Sequence, residues 1–217
     1  MQIEVVSDVA CPWCAIGVSA LDRALASIGD EIGPIDVQMQ PFELNPAMPP
    51  EGADATKYLS EKYGIGPEQI AVNRARIVER GASEGFTFGP RTHVWNTFDT
   101  HRLLFWAGIE GAPGTQLALK RALLAAYHGE GRNISDRAVL IELATAAGLP
   151  AARAREVLES GEFVTQVHEA ERFWQEAGIT GVPAVVINRK HLISGGQPAA
   201  VFEQALRQIA AESRAAQ

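Results

Sequence analysis

Cysteine is almost missing from this chain: its 217 residues hold two, Cys11 and Cys14. Two are too few for the disulfide scaffold of a small secreted domain. Long apolar runs are missing too. None reaches the roughly 18 residues of a spanning helix, which excludes an integral helical membrane protein. Basic charge is in deficit, with 19 Lys and Arg against 26 Asp and Glu and a formal net charge of −7. That balance argues against nucleic acid as a partner, since duplex binding needs a basic face. No basic, apolar, small-residue leader precedes the first β-branched stretch. There is no internal repeat, no low-complexity segment, no Gly-rich phosphate loop, no nucleotide fingerprint and no Ser-His-Asp chain order.

What is present describes a folded globule. At 47% hydrophobic and 21% charged residues, the chain lies outside the signature of disorder. At roughly 150 residues per domain, its length predicts one large domain or one domain with an insertion. A globule of this size buries about 70% of its unfolded surface and needs no disulfide to fold.

Periodicity divides the chain in three. Ile3 to Ser7 reads as a strand and Cys11 to Ser27 as a helix, with Pro12 at the first helical position and an apolar stripe of Ile16, Leu21, Leu25 and Ile28. Ile35 to Phe42 alternates as a second strand. After the breaker-rich loop Asn45 to Gly52, residues 54–177 read as helices: Thr56–Tyr63, Pro67–Glu84, Thr97–Gly108, Thr115–His128, Asp136–Ala147, Ala151–Ser160 and Glu162–Ala177. Ser135 is the expected cap of the fifth, and Leu103 to Ile109 is apolar enough to predict burial on several sides. Strands return at Ala184–Ile187 and His191–Ser194, joined as a hairpin through Asn188-Arg189-Lys190, before a closing helix Ala199–Ala211 and a tail expected to fray after Ser213. The two ends together make one four-stranded sheet. The predicted fold class is α/β: a thioredoxin fold, residues 1–45 plus 178–217, with a large all-helical subdomain inserted at 46–177.

The cysteines are spaced Cys-x-x-Cys in Asp8-Val9-Ala10-Cys11-Pro12-Trp13-Cys14, at the first strand-to-helix turn. Read as it stands, the chain is expected to be cytoplasmic, where such a pair is redox-active or metal-binding rather than structural. A full zinc site needs about four ligands. There is no second Cys-x-x-Cys, and His93, His101, His128, His168 and His191 are dispersed, so no metal is expected.

The string Ser-Asp-x-x-Cys-Pro-Trp-Cys-x-Ile-Gly resembles the DsbA-like oxidoreductases of the FrnE-like branch, near the 2-hydroxychromene-2-carboxylate isomerases. The segments Pro41 to Pro46, Asn96 to Asp99, His101 to Leu103, Gly131 to Asp136 and Gly178 to Pro183 are similar to that family in order, so the resemblance covers essentially the whole chain. It implies a cis Val182–Pro183 peptide beside the cysteines, with the Val182 backbone pairing with an extended substrate segment. It also implies thiol–disulfide exchange on protein or small-molecule disulfides, with no bound cofactor and an external thiol or disulfide partner such as glutathione. The resemblance leaves a homodimer open, and no exposed stripe decides it.

The chemistry suits these residues. A thiolate is the attacking species, and a helix N-terminus favours it at Cys11. Cys11 is assigned as the exposed nucleophile and Cys14, one turn on, as the buried resolving thiol. Pro12 and Trp13 tune the thiolate, and Trp13 also offers an aromatic surface to substrate. Neighbouring residues have plainer readings: Asp8 as a polar cap rather than a proton acceptor near Cys14, Asn96 as a helix cap rather than a cleft residue, and His101 as a satisfied core histidine. Gly195-Gly196-Gln197 reads equally as a turn or as facing the site. Trp95, Phe98, Phe105, Trp106, Phe173 and Trp174 read as core. Two other functions compete: a glutathione-dependent isomerase or transferase, against which Cys11 counts because that branch carries Ser there, and a holdase using the cleft beside Pro183.

Overall fold

The computed structural model describes residues 1–215. Strands β1 (Gln2–Ser7), β2 (Asp36–Pro41), β5 (Ala184–Ile187) and β6 (His191–Ser194) form one mixed sheet in the order β2–β1–β5–β6. The β1–β2 pair is parallel, joined by helix α1 (Pro12–Ile28); β1–β5 and β5–β6 are antiparallel. The central strand β1 shows why its sequence reads as it does. It is covered on both faces, so five of its six residues are buried, the apolar Ile3, Val5 and Val6 among them. Ile3 and Val5 join the main core, while Val6 packs on the other side with Phe42, Trp174, Ile179 and Ala184. Glu4 shares Val6's face and is fully buried. It is held by a bidentate pair with Arg189 at 3.0 and 3.1 Å.

Between β2 and β5 the chain is helical apart from a two-stranded ribbon. The helices are α2 (Ala55–Tyr63), α3 (Pro67–Ser83), α4 (Phe98–Glu110), α5 (Thr115–Leu124), α6 (Arg137–Ala146), α7 (Ala151–Glu159) and α8 (Val164–Glu176). The ribbon pairs β3 (Ala53–Asp54) with β4 (His93–Val94), where the sequence predicts no strand. Helices α4, α5 and α8 pack on β2, and α3 on α1, so the core runs continuously from the sheet into the helices. Buried Arg102 pairs with Asp99 on its own helix and ties α4 to the end of α7 and the α7–α8 connection through the carbonyls of Val157, Ser160 and Glu162. The closing helix α9 (Ala199–Ala215) packs on α1 and runs past its expected end. The rest of the tail expected to fray lies outside the described residues.

Local expectations are corrected in four places. The helix expected over Thr115–His128 stops at Leu124 and widens into a π-helical turn, Ala125–Gly129, which faces both Tyr127 and His128 inward. Asp136, not Ser135, caps α6, accepting from the Ala138 N–H at 2.8 Å; the Ser135 hydroxyl instead donates to the Asn96 carbonyl. Ile109 is exposed, because burial of α4 ends at Ala107. Phe173 is exposed as well, lying edge-on to buried Trp174 with the Arg189 guanidinium over its ring, and so is not core.

Candidate active site

After β1 the chain turns through Asp8 to Ala10, and Cys11 becomes the N-cap of α1 with Pro12 at the first position. No side chain caps this helix, so the N–H groups of its first turn are left for the Cys11 sulfur. The Cys11 thiol donates to the Val182 carbonyl at 3.6 Å, and the Val182–Pro183 peptide is cis. Three sequence-distant pieces thus meet: the Cys-Pro-Trp-Cys turn, the Pro183 loop and the end of β6. The Gly195 N–H donates to the Pro183 carbonyl at 2.8 Å. Glycine allows a close approach at 196, where a Cβ would sit 3.0 Å from the Trp13 carbonyl, and at 17, where it would meet Pro183 Cγ at the same distance. Of the two readings of Gly195-Gly196-Gln197, the one facing the site describes Gly196.

The two thiols differ. A hydrogen bond from the Cys14 thiol does most to hold the Cys11 pKa below its ordinary value; burial opposes it, and the backbone N–H groups of Cys14 and Trp13 add to the lowering. Burial pushes Cys14 well above the ordinary value, with Cys11 adding to the rise. The exposed Cys11 expected from the sequence is corrected: it is 4% exposed, because the Val182 loop covers it, while Cys14 is fully sealed. Trp13 is the exposed member of the motif, at 40%.

A buried polar layer lies behind the cysteines. Asp8 is fully buried and accepts from the N–H groups of Ala10 at 3.0 Å and Leu44 at 2.7 Å. Burial favours its neutral form, but His101 and these N–H groups outweigh it and hold the carboxyl below its usual range. Asp8 therefore does cap the loop, as read, and also faces a histidine. His101 is buried, but the satisfied histidine expected is corrected: its Nε2 has no aligned hydrogen-bond partner and lies 3.4 Å from Asp8 Oδ1. Asn96 braces the start of α4, accepting from the Phe98 N–H at 2.8 Å and donating to the Met48 carbonyl at 2.7 Å.

Sequence reasoning missed two members of this layer. Lys120 on α5 is fully buried, with Nζ 3.4 Å from the Ser7 carbonyl; burial lowers its pKa, while Cys14, Asp8 and Cys11 oppose that. Its signal was present. Lys120, Leu123, Leu124 and Tyr127 recur at helical spacing and all are buried, so the lysine sits on the apolar stripe. His128, from the π-helical turn, places Nε2 2.8 Å from the Val9 carbonyl, and burial pushes its pKa down to about 3. Beside Pro12 a cleft of about 240 Å³ opens, lined by Ala10, Tyr58, Ile70, Arg74, Phe88 and Arg91 among others.

The whole pattern has relatives. The chain's fold and sequence are similar to those of a probable DsbA oxidoreductase from Streptomyces coelicolor, at 36% identity and a TM-score of 0.86, covering 96% of this chain and 89% of that one. The fold also matches a 2-hydroxychromene-2-carboxylate isomerase, at 13% identity and a TM-score of 0.75 over 100% of both chains. It matches the cytosolic disulfide reductase DsbM of Pseudomonas aeruginosa, solved with glutathione, at 21% identity and a TM-score of 0.64, covering 95% of this chain and 100% of that one. The model of the DSBA-like thioredoxin domain matches residues 2–207, and the chain belongs to that family.

Proposed function

We propose that this protein is a thiol–disulfide oxidoreductase that uses Cys11 and Cys14 on protein or small-molecule disulfides. The observation that carries the reading is the split between the two thiols at one helix N-terminus: Cys11 held below its ordinary pKa and Cys14 pushed far above it. The Cys11 thiolate attacks one sulfur of a substrate disulfide. That S–S bond breaks, a Cys11–substrate disulfide forms, and the other substrate sulfur leaves as a thiolate. Cys14 then loses its proton and attacks the Cys11 sulfur. The second substrate thiol leaves, and a Cys11–Cys14 disulfide remains. The reverse sequence oxidises a dithiol. Pro183 and Val182 frame the nucleophile, and Trp13 offers substrate an exposed aromatic face. The relationship to the Streptomyces oxidoreductase supports this assignment, as does the fold shared with a disulfide reductase solved with glutathione. Glutathione is accordingly the first external partner to test.

The experiment is equilibration across a glutathione redox series, with free thiols trapped by a mass-tagged alkylator. The expected result is a single two-electron transition involving both cysteines. Cys11→Ser abolishes exchange, and Cys14→Ser accumulates the mixed disulfide. The cleft beside Pro12 favours a second reading, a glutathione-dependent isomerase or transferase acting on a small apolar substrate. Thiols that stay free across the series, or a stable glutathione adduct alone, would replace the first reading with the second.

A further inference from the structure

Away from the cysteines, one cluster of side chains is left incompletely partnered. Glu43 follows β2, and His168 and Glu171 lie one turn apart on α8. One donor atom from each of the three lies within 4.8 Å of the others. Glu171 is 7% exposed and its Oε1 has no hydrogen-bond partner; Glu43 Oε1 is likewise buried and unpartnered. Buried carboxylate oxygens with no donor are costly as anions. They relax either by sharing a proton or by taking a cation. The third member is an imidazole whose orientation is set: the His168 ring stacks on Phe98 at 4.6 Å and 19°, with Nδ1 3.3 Å from Glu171 Oε2. His168 is exposed, so the cluster is open to solvent on one side.

We propose that Glu43, His168 and Glu171 bind one divalent cation of the zinc class. One imidazole nitrogen with two carboxylate oxygens suits such an ion, whereas calcium takes six to eight oxygens. Metal–ligand bonds of about 2.0–2.2 Å place tetrahedral donor atoms roughly 3.4 Å apart. The His168–Glu171 edge already has that length, and side-chain rotation closes the longest gap. Water from the open side completes the shell. Such an ion would join the end of β2 to α8. It takes no part in disulfide exchange, and the proposal does not rest on that activity.

Burial, followed by Glu171 and Asp8, pushes the Glu43 carboxyl up to about 7, while His168 opposes the rise. The groups facing Glu43 are Glu171 and His168 from α8 and Asp8 from the β1–α1 turn.

The test uses the full chain with Cys11→Ser and Cys14→Ser, which removes the zinc-competent thiols. Calorimetric titration with Zn²⁺ at neutral pH is expected to give one ion per chain, and Co²⁺ to give d–d bands with no thiolate charge-transfer band. In that background, Glu171→Gln, His168→Ala and Glu43→Gln should each weaken binding by at least about tenfold, the loss that even an outer partner of a metal ligand causes. Circular dichroism confirms that each variant folds. Absence of stoichiometric binding, or an affinity that none of the three substitutions changes, would overturn the proposal. As a second readout without ligand substitution, Co²⁺ should broaden the His168 ring resonances before those of the other histidines; prior broadening of another histidine would also overturn it.

Discussion

Lys120 is a charged side chain with no aqueous face, set behind the two thiols of the site. Its cation draws Cys14 toward the thiolate, while burial of Cys14 does the reverse and prevails. Resolution of a mixed disulfide requires that thiolate, so Lys120 acts on the second chemical step. The contact of Lys120 is with a neutral group, the Ser7 carbonyl, so removing it breaks no ion pair and relieves the desolvation of a buried ammonium. Lys120→Met should therefore keep the urea-unfolding stability within about 1 kcal/mol or raise it. Its cost should appear as a Cys11 mixed disulfide that lasts several-fold longer, because a smaller fraction of Cys14 is the attacking thiolate. Acid quenching at timed intervals, followed by intact mass measurement, reads this lifetime. An unchanged lifetime would make Lys120 purely structural. Cys11, Cys14 and Pro183 were legible in the sequence because a Cys-x-x-Cys and a Gly-Val-Pro are local strings. Lys120 was not read because a lysine on a helix is usually solvated, and its burial becomes visible only from the Leu123, Leu124 and Tyr127 stripe that it shares.

Among the elements, those with a strong period were legible and those made by distant or subtle hydrogen bonding were not. Strand β1 announces itself by β-branched residues and α1 by an apolar stripe. The β3–β4 ribbon is two residues wide on each side and pairs Ala53 with Val94 across a long stretch of chain, so no local pattern marks it. The π-helical turn uses residues that an α-helix would also accept; only its longer-range bonds, such as Glu130 N–H to the Ala125 carbonyl at 3.0 Å, define it. That turn packs against Gly89, whose N–H donates to the His128 carbonyl at 2.9 Å. A Cβ on residue 89 would overlap the Gly129 carbonyl, which is backbone and cannot swing aside. Gly89→Ala should therefore cost about 2–3 kcal/mol, the upper range for overpacking. Gly161→Ala, where nothing lies within 4 Å of the new methyl, should stay within about 0.5 kcal/mol. Paired urea melts check both, and equal losses at the two positions would show that the π-helical turn yields.

At the scale of the whole molecule, the site draws on the sheet end of the chain for its thiols and Asp8, and on the helices between β2 and β5 for His101, Lys120 and His128 behind them. Pattern reading placed the thiols and the helices, but not the encounter of Asp8, His101, Lys120 and His128, because that encounter depends on how α4 and α5 dock on β2. The same burial makes stability pH-dependent in two opposed ways. His128 ordinarily titrates near 6.5 but is held near 3 by burial, with the Arg91 charge adding to it. As pH falls below 6.5 the unfolded chain takes a proton that the folded chain refuses, so this group's contribution is lost progressively down to about 3, in total on the order of 5 kcal/mol. Glu43 has the opposite sign. Its ordinary value is 4.5 and its folded value about 7, so the folded chain holds the extra proton and stability declines as pH rises from 4.5 through 7. Between 4.5 and 6.5 the two slopes cancel. With a chelator present, the stability difference between the parent and His128→Asn should rise with pH from 3 to 6.5, while that between the parent and Glu43→Gln should fall from 4.5 to 7. Urea midpoints across this range measure both differences, which subtract the surface carboxylates common to all three proteins. A flat His128 difference would place that imidazole in contact with water, and a flat Glu43 difference would mean that its carboxyl titrates as an ordinary one.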